Sequence, residues 1–130
     1  MVPKLLIKNI GIMKKSENNL DEKLDTYLLY ILELQNNMYY VGITRNPTAR
    51  FNDHRNGKST YFVKQNLPII NIQTKMLKTT NKREAEKIET KKALQLMKKH
   101  GIENVTGGFL AGDYHDKIIA LKMLFNANID

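Results

Sequence analysis

Apolar and polar positions alternate in blocks that change period several times along the chain. Tyr27 to Leu34 is a nearly unbroken apolar run of strand-forming residues, and Met38 to Thr44 is a second one. The triplet Gln35-Asn36-Asn37 between them has turn chemistry, so the two runs predict a hairpin. Side chains alternate faces along a strand, so Tyr30 and Tyr40 share a face if the loop holds an odd number of residues; this triplet makes three. Asn46-Pro47 opens a helix, with Asn46 as cap and Pro47 in the first turn, that ends near Asn56-Gly57. Ser59 to Asn66 suggests another short helix. Beyond Pro68, alternation over Ile69 to Met76 suggests a half-buried third strand. Asn81 to His100 is the clearest helix: Asn81 and Glu84 give a capping-box-like start, and Gly101 stops it. Its apolar stripe is Ala85, Ile88, Ala93, Leu96 and Met97. Asn104 to Gly108 reads as a turn segment, and a last helix is expected from about Asp113 to Asn126.

The order is therefore strand, strand, helix, helix, strand, helix, helix. It predicts an α+β domain with a small three-stranded antiparallel sheet flanked by helices. Residues 1–24 read as an N-terminal extension with a polar stretch from Lys14 to Lys23, and residues 25–130 as a single domain. At 130 residues the chain can bury a core without disulfides or structural metal. There is no cysteine, which excludes disulfides, thiolate metal sites and cysteine nucleophiles. No apolar run approaches a membrane span, and lysines interrupt the short apolar start, so no signal peptide is read and an intracellular location is expected.

Charge narrows the choice of partner. Lys and Arg number 21 against 13 Asp and Glu, a net +8 with pI near 9.6. Such an excess favours polyanions, although a lysine-rich surface also serves solubility alone. Only 4 of the 21 basic residues are arginines, so each invites a question.

A few residues carry candidate chemistry. Glu89 falls inside the apolar stripe of its helix, where a carboxylate needs a cation or donors. An ion pair with Arg50 or a lysine would satisfy it; so would a divalent metal, since one carboxylate with waters and a substrate phosphate is an ordinary magnesium site. Arg50 is either a surface residue or a planar fork for a phosphodiester. His54, one turn after Arg50, is either structural or an acid–base group on the same side of the helix. Tyr30 and Tyr40 are core residues by default, yet a nearby cation would favour a phenolate and make either a proton acceptor. Gly42 allows a substrate or another backbone to come close. His100 and His115 have no recognisable partners. No phosphate-binding glycine loop, serine-hydrolase elbow or zinc spacing is present.

These residues resemble the GIY-YIG nuclease family. Leu28-Leu29-Tyr30 stands where the first half of the signature falls, with only its tyrosine matching, and Tyr40-Val41-Gly42 matches the second half. Arg50 and His54 stand at the arginine and the following histidine or tyrosine of the first helix. Ala85 to Glu89 is similar to the element that carries the metal-binding glutamate, and Asn104 is the nearest match to a later asparagine. The first-half glycine is replaced by Leu28, and Ile43 stands where some subfamilies carry a lysine. The resemblance covers about residues 26–108.

What the resemblance implies is a stand-alone, metal-dependent endonuclease acting on DNA, using Mg2+ or Mn2+ held by Glu89. Tyr40 would be the general base, Tyr30 or His54 would relay the proton, Arg50 would neutralise charge on the phosphate, and Gly42 and Asn104 would line the substrate. Single-stranded, duplex and branched DNA, and RNA, remain open as substrates, as do monomer and homodimer. The rival readings are a catalytically inactive nucleic-acid-binding module on the same fold and a basic protein–protein adaptor.

Overall fold

The computed structural model describes residues 23–107. Residues 1–22, which hold most of the expected N-terminal extension, lie outside the described residues, as do the expected helix over 113–126 and His115.

The hairpin forms as its composition requires. β1 (Leu28–Glu33) and β2 (Tyr39–Thr44) run antiparallel, with Tyr30 opposite Gly42 and Leu32 opposite Tyr40. The connection is one turn of 3-10 helix over Gln35–Asn37. Asn36 and Asn37 take positive φ values of 64° and 59°, a region asparagine enters more readily than most residues. Three loop residues keep the parity, so Tyr30 and Tyr40 project from the same face.

α1 (Pro47–Arg55) starts where Asn46 accepts a hydrogen bond from the Ala49 amide at 3.3 Å. α2 (Tyr61–Gln65) follows, capped by Thr60, whose hydroxyl accepts from the Val63 amide at 3.2 Å. β3 (Asn71–Met76) then pairs antiparallel with β1 on the side away from β2. α3 (Lys82–His100) has Asn81 as cap, accepting from the Glu84 amide at 3.0 Å. The second half of the expected capping box closes indirectly: the Thr79 hydroxyl donates to Glu84 and accepts from the Asn81 amide.

The sheet is larger than the three antiparallel strands expected. β4 (Val105–Gly107) adds a fourth, in parallel beside β2, giving the order β3-β1-β2-β4. It occupies part of the segment expected to be a turn. Three residues are too few to show a period, and Val-Thr-Gly carries no strand signature by itself. The pairing depends on a close approach: a Cβ on Gly107 would lie 2.6 Å from the Val41 carbonyl oxygen.

Two cores cover the two faces of the sheet. On one, Leu29, Val41 and Val105 pack with Ala85, Ala93, Leu94 and Met97 of α3. On the other, Tyr30, Leu32 and Tyr40 pack with Val63 of α2 and Phe51 of α1. The stripe on α3 is displaced from the expected one. Ala85, Ala93 and Met97 are buried as predicted, but Thr90 and Leu94 complete the face, while Ile88 is 39% exposed. α3 packs against both β2 and β4. No helix among the described residues is long and apolar enough to cross a membrane.

Candidate active site

Four of the expected residues meet on the face of the sheet covered by α1. Tyr30 enters from the middle of β1. Its phenol passes over β2 at Gly42, where any Cβ would overlap the Tyr30 ring and hydroxyl. Gly42 is thus the residue that lets the phenol lie flat against the sheet. Tyr40, two residues back along β2 on the same face, brings its ring centroid to 6.3 Å from that of Tyr30.

α1 supplies the cations and the imidazole. Arg50 Nε donates to the Tyr30 hydroxyl at 3.3 Å, and an Arg50 terminal nitrogen donates to the Tyr40 hydroxyl at 3.4 Å. One guanidinium therefore spans both phenol oxygens, as its planar fork permits and a lysine would not. His54, one turn later, is fully buried and lies 2.8 Å from the Tyr30 hydroxyl through Nε2. Its other nitrogen, Nδ1, is 2.6 Å from Ser59 Oγ. Phe51 meets the Tyr30 ring edge-on at 5.0 Å and closes the apolar side.

The electrostatics follow from this enclosure. Burial pushes the Tyr30 phenol well above its usual range; the Tyr40 phenol and Glu89 carboxylate act in the same direction, and Arg50 opposes them. Burial likewise lowers His54, to about 4, with Arg50 and then Arg55 adding repulsion. The imidazole is neutral at physiological pH. Burial works against the charge of Arg50, but its attraction to Tyr30 and Tyr40 outweighs that, so the net shift is upward. Tyr30 keeps its proton and, at 1% exposure, must place it on an acceptor. His54 Nε2 is that acceptor, because Arg50 can only donate.

Glu89 stands in the other layer, behind the sheet from the two phenols. It stands on α3 one turn from Ala85 and one from Ala93, both fully buried against the opposite face of the sheet. Its side chain is half-buried, and its charge is among those acting on Tyr30. Among the described residues no three His, Asp or Glu side chains gather as a metal cage. A single half-buried carboxylate fits a hard cation that keeps most of its waters, such as Mg2+ or Mn2+, and not a closed structural site.

Asn104 donates its side-chain amide to the His100 carbonyl at 2.8 Å, at the end of α3. His100, given no role from the sequence, stacks on Tyr39 at 4.1 Å. An open groove between the end of β3 and the first turns of α3, lined by Lys75, Met76, Lys87 and Ile88, involves none of the polar cluster. Two contributors were not legible in the sequence. Ser59 lies five residues after His54, which is not a helical spacing, and a lone Phe51 on a short helix carries no signal of what it packs against.

The fold and site define a small α+β domain in which a hairpin and the helix after it enclose two phenols, a guanidinium and an imidazole. The sequence model of the GIY-YIG catalytic domain matches residues 26–100, more than half of the chain, and the chain belongs to that family, a family of nucleases. No curated protein and no solved structure shows significant similarity to it.

Proposed function

We propose that this chain is a divalent-metal-dependent endonuclease that hydrolyses phosphodiester bonds of DNA, with Tyr40 as general base. The observation that carries this reading is the unequal position of the two phenols on one guanidinium. The Tyr30 proton is committed to His54. The Tyr40 oxygen accepts from Arg50, and its own proton is not engaged with the imidazole, whose two nitrogens are taken. Tyr40 is thus the phenol that can exchange a proton with a water molecule, while Arg50 balances the negative charge left on its oxygen.

Tyr30 and His54 act as a brace. They hold the Arg50 guanidinium from its Nε side, so that its outer donors face a phosphate where charge builds up during attack. Glu89 is the residue that would hold the cation, which would supply Lewis acidity to the phosphate. Gly42 keeps the β2 surface low beside the phenols. The work of the protein is placement and charge compensation, as in phosphoryl chemistry generally.

The test is a cleavage panel over supercoiled plasmid, single-stranded and branched DNA, and RNA, with Mg2+ and with Mn2+. Wild type is expected to cut at least one DNA substrate, and Glu89→Ala and Tyr40→Phe are expected to cut none. A wild type as inert as Glu89→Ala across the whole panel overturns the enzyme reading in favour of a nucleic-acid-binding module. No affinity for nucleic acid, in place of binding that weakens steeply with salt, would point to the protein adaptor instead.

A further inference from the structure

We propose that Ser59 is a positioning residue of this site: its hydroxyl holds His54 in the Nδ1–H tautomer and so fixes the direction in which the Tyr30 proton points. The inference rests on the reading of the Tyr30 cluster as part of an active site.

The loop after α1 is built to deliver this hydroxyl. The Gly57 amide returns to the His54 carbonyl at 3.2 Å, and the Lys58 amide to the Asp53 carbonyl at 2.8 Å. The chain therefore folds back onto the last turn of α1. Thr60 immediately starts α2 as its cap, which fixes the residue before it. Ser59 is caught between these two constraints, half-buried, with Oγ at 2.6 Å from Nδ1.

A neutral imidazole has one donor and one acceptor nitrogen, and a hydroxyl can serve either. The choice is made along the chain of contacts. Arg50 donates to the Tyr30 oxygen, so the buried Tyr30 proton needs an acceptor, and Nε2 is the one beside it. Nδ1 must then carry the hydrogen, and Ser59 Oγ accepts it. Without that acceptor, a buried Nδ1–H would be left unsatisfied. The ring would then move its hydrogen to Nε2 and donate to the Tyr30 oxygen. Tyr30 would be left with two donors at its oxygen and its own proton turned away from the imidazole. Ser59 thus sets the polarity of the whole array without touching substrate.

Two measurements on the full chain test this. In protein labelled with 15N-histidine, long-range 1H–15N correlation reports the tautomer of each ring, and His54→Gln identifies the His54 signals. Wild type is expected to show Nδ1–H at His54, Ser59→Ala to show Nε2–H or a mixture, and Ser59→Thr to restore Nδ1–H. In plasmid nicking, Ser59→Ala is expected to lower kcat on the order of tenfold with KM unchanged, and Ser59→Thr to recover it. An Nε2–H tautomer in wild type overturns the assignment directly, whatever the variants do. So does a Ser59→Ala protein whose His54 tautomer matches wild type. Should wild type prove inert on every nucleic acid, the nuclease reading falls, and the tautomer shift alone then decides the role of Ser59.

Discussion

Replacing Gly42 with alanine adds one methyl group at the point where the Tyr30 phenol crosses β2. A Cβ there overlaps the Tyr30 hydroxyl and the carbon that bears it, and stands 2.9 Å from Cε2. Such an overlap is harmless when a flexible side chain can swing aside. Tyr30 cannot: it is 1% exposed, wedged edge-on against Phe51 at 5.0 Å and held by His54 at 2.8 Å. Overpacking of this kind destabilises by about 1–3 kcal/mol. If the phenol is forced out, the bonds from Arg50 and to His54 are lost too, at about 0.5–1.5 kcal/mol each. A loss of roughly 2–6 kcal/mol follows, enough to lower Tm by roughly 10 °C or more. Urea unfolding of wild type, Gly42→Ala, Tyr30→Leu and the double variant measures the coupling. Leucine has no atom where the overlap occurs, so Gly42→Ala should cost little in the Tyr30→Leu background. An equal loss in both backgrounds, or a Gly42→Ala protein as stable as wild type, would refute the steric argument.

Three further outcomes are expected. Arg50→Lys keeps the charge but cannot span both phenols; cleavage should fall by about 100-fold or more with the fold retained by circular dichroism, and a variant of near wild-type kcat would remove the shared guanidinium from the mechanism. His54 titrates at about 4 in the folded protein against an ordinary value of 6.5, so the unfolded chain binds more protons between those values. Its contribution is fully present above pH 6.5 and is lost as pH falls towards 4, so the stability of wild type should decline more steeply over that window than that of His54→Gln; parallel curves would contradict it. Gly107→Val should break the pairing of β4 with β2, since even one Cβ meets the Val41 carbonyl, and faster amide exchange at Val41 and Gly107 than in wild type is the readout; unchanged protection would count against the close approach.

Much of the site was legible because local rules happened to be sufficient for it. The loop Gln35–Asn37 sets the parity of the hairpin, and parity alone places Tyr30 and Tyr40 on one face. One helical turn places Arg50 and His54 on one side of α1, and both reach the Tyr30 hydroxyl. Glu89 was harder to place. Its pattern put it on the core side of α3, but not on which side of the sheet α3 would pack. Ile88 lies outside the buried face and Leu94 within it, because a stripe drawn from sequence does not fix which sector of a helix meets the sheet. Distance along the chain matched Asn104 to a family position, but did not show that its amide donates to the His100 carbonyl at the end of α3.

Residue order by itself determined the helix starts, the hairpin and the chemical inventory of two phenols, a guanidinium, an imidazole and a carboxylate, because these depend on neighbours within one turn or one loop. The tertiary structure alone decided the fourth strand, the packing of the helix that bears Glu89 behind the sheet and the serine against His54. Each of those is a contact between segments whose separation in sequence carries no period, so only packing and the need to satisfy buried polar groups bring them together.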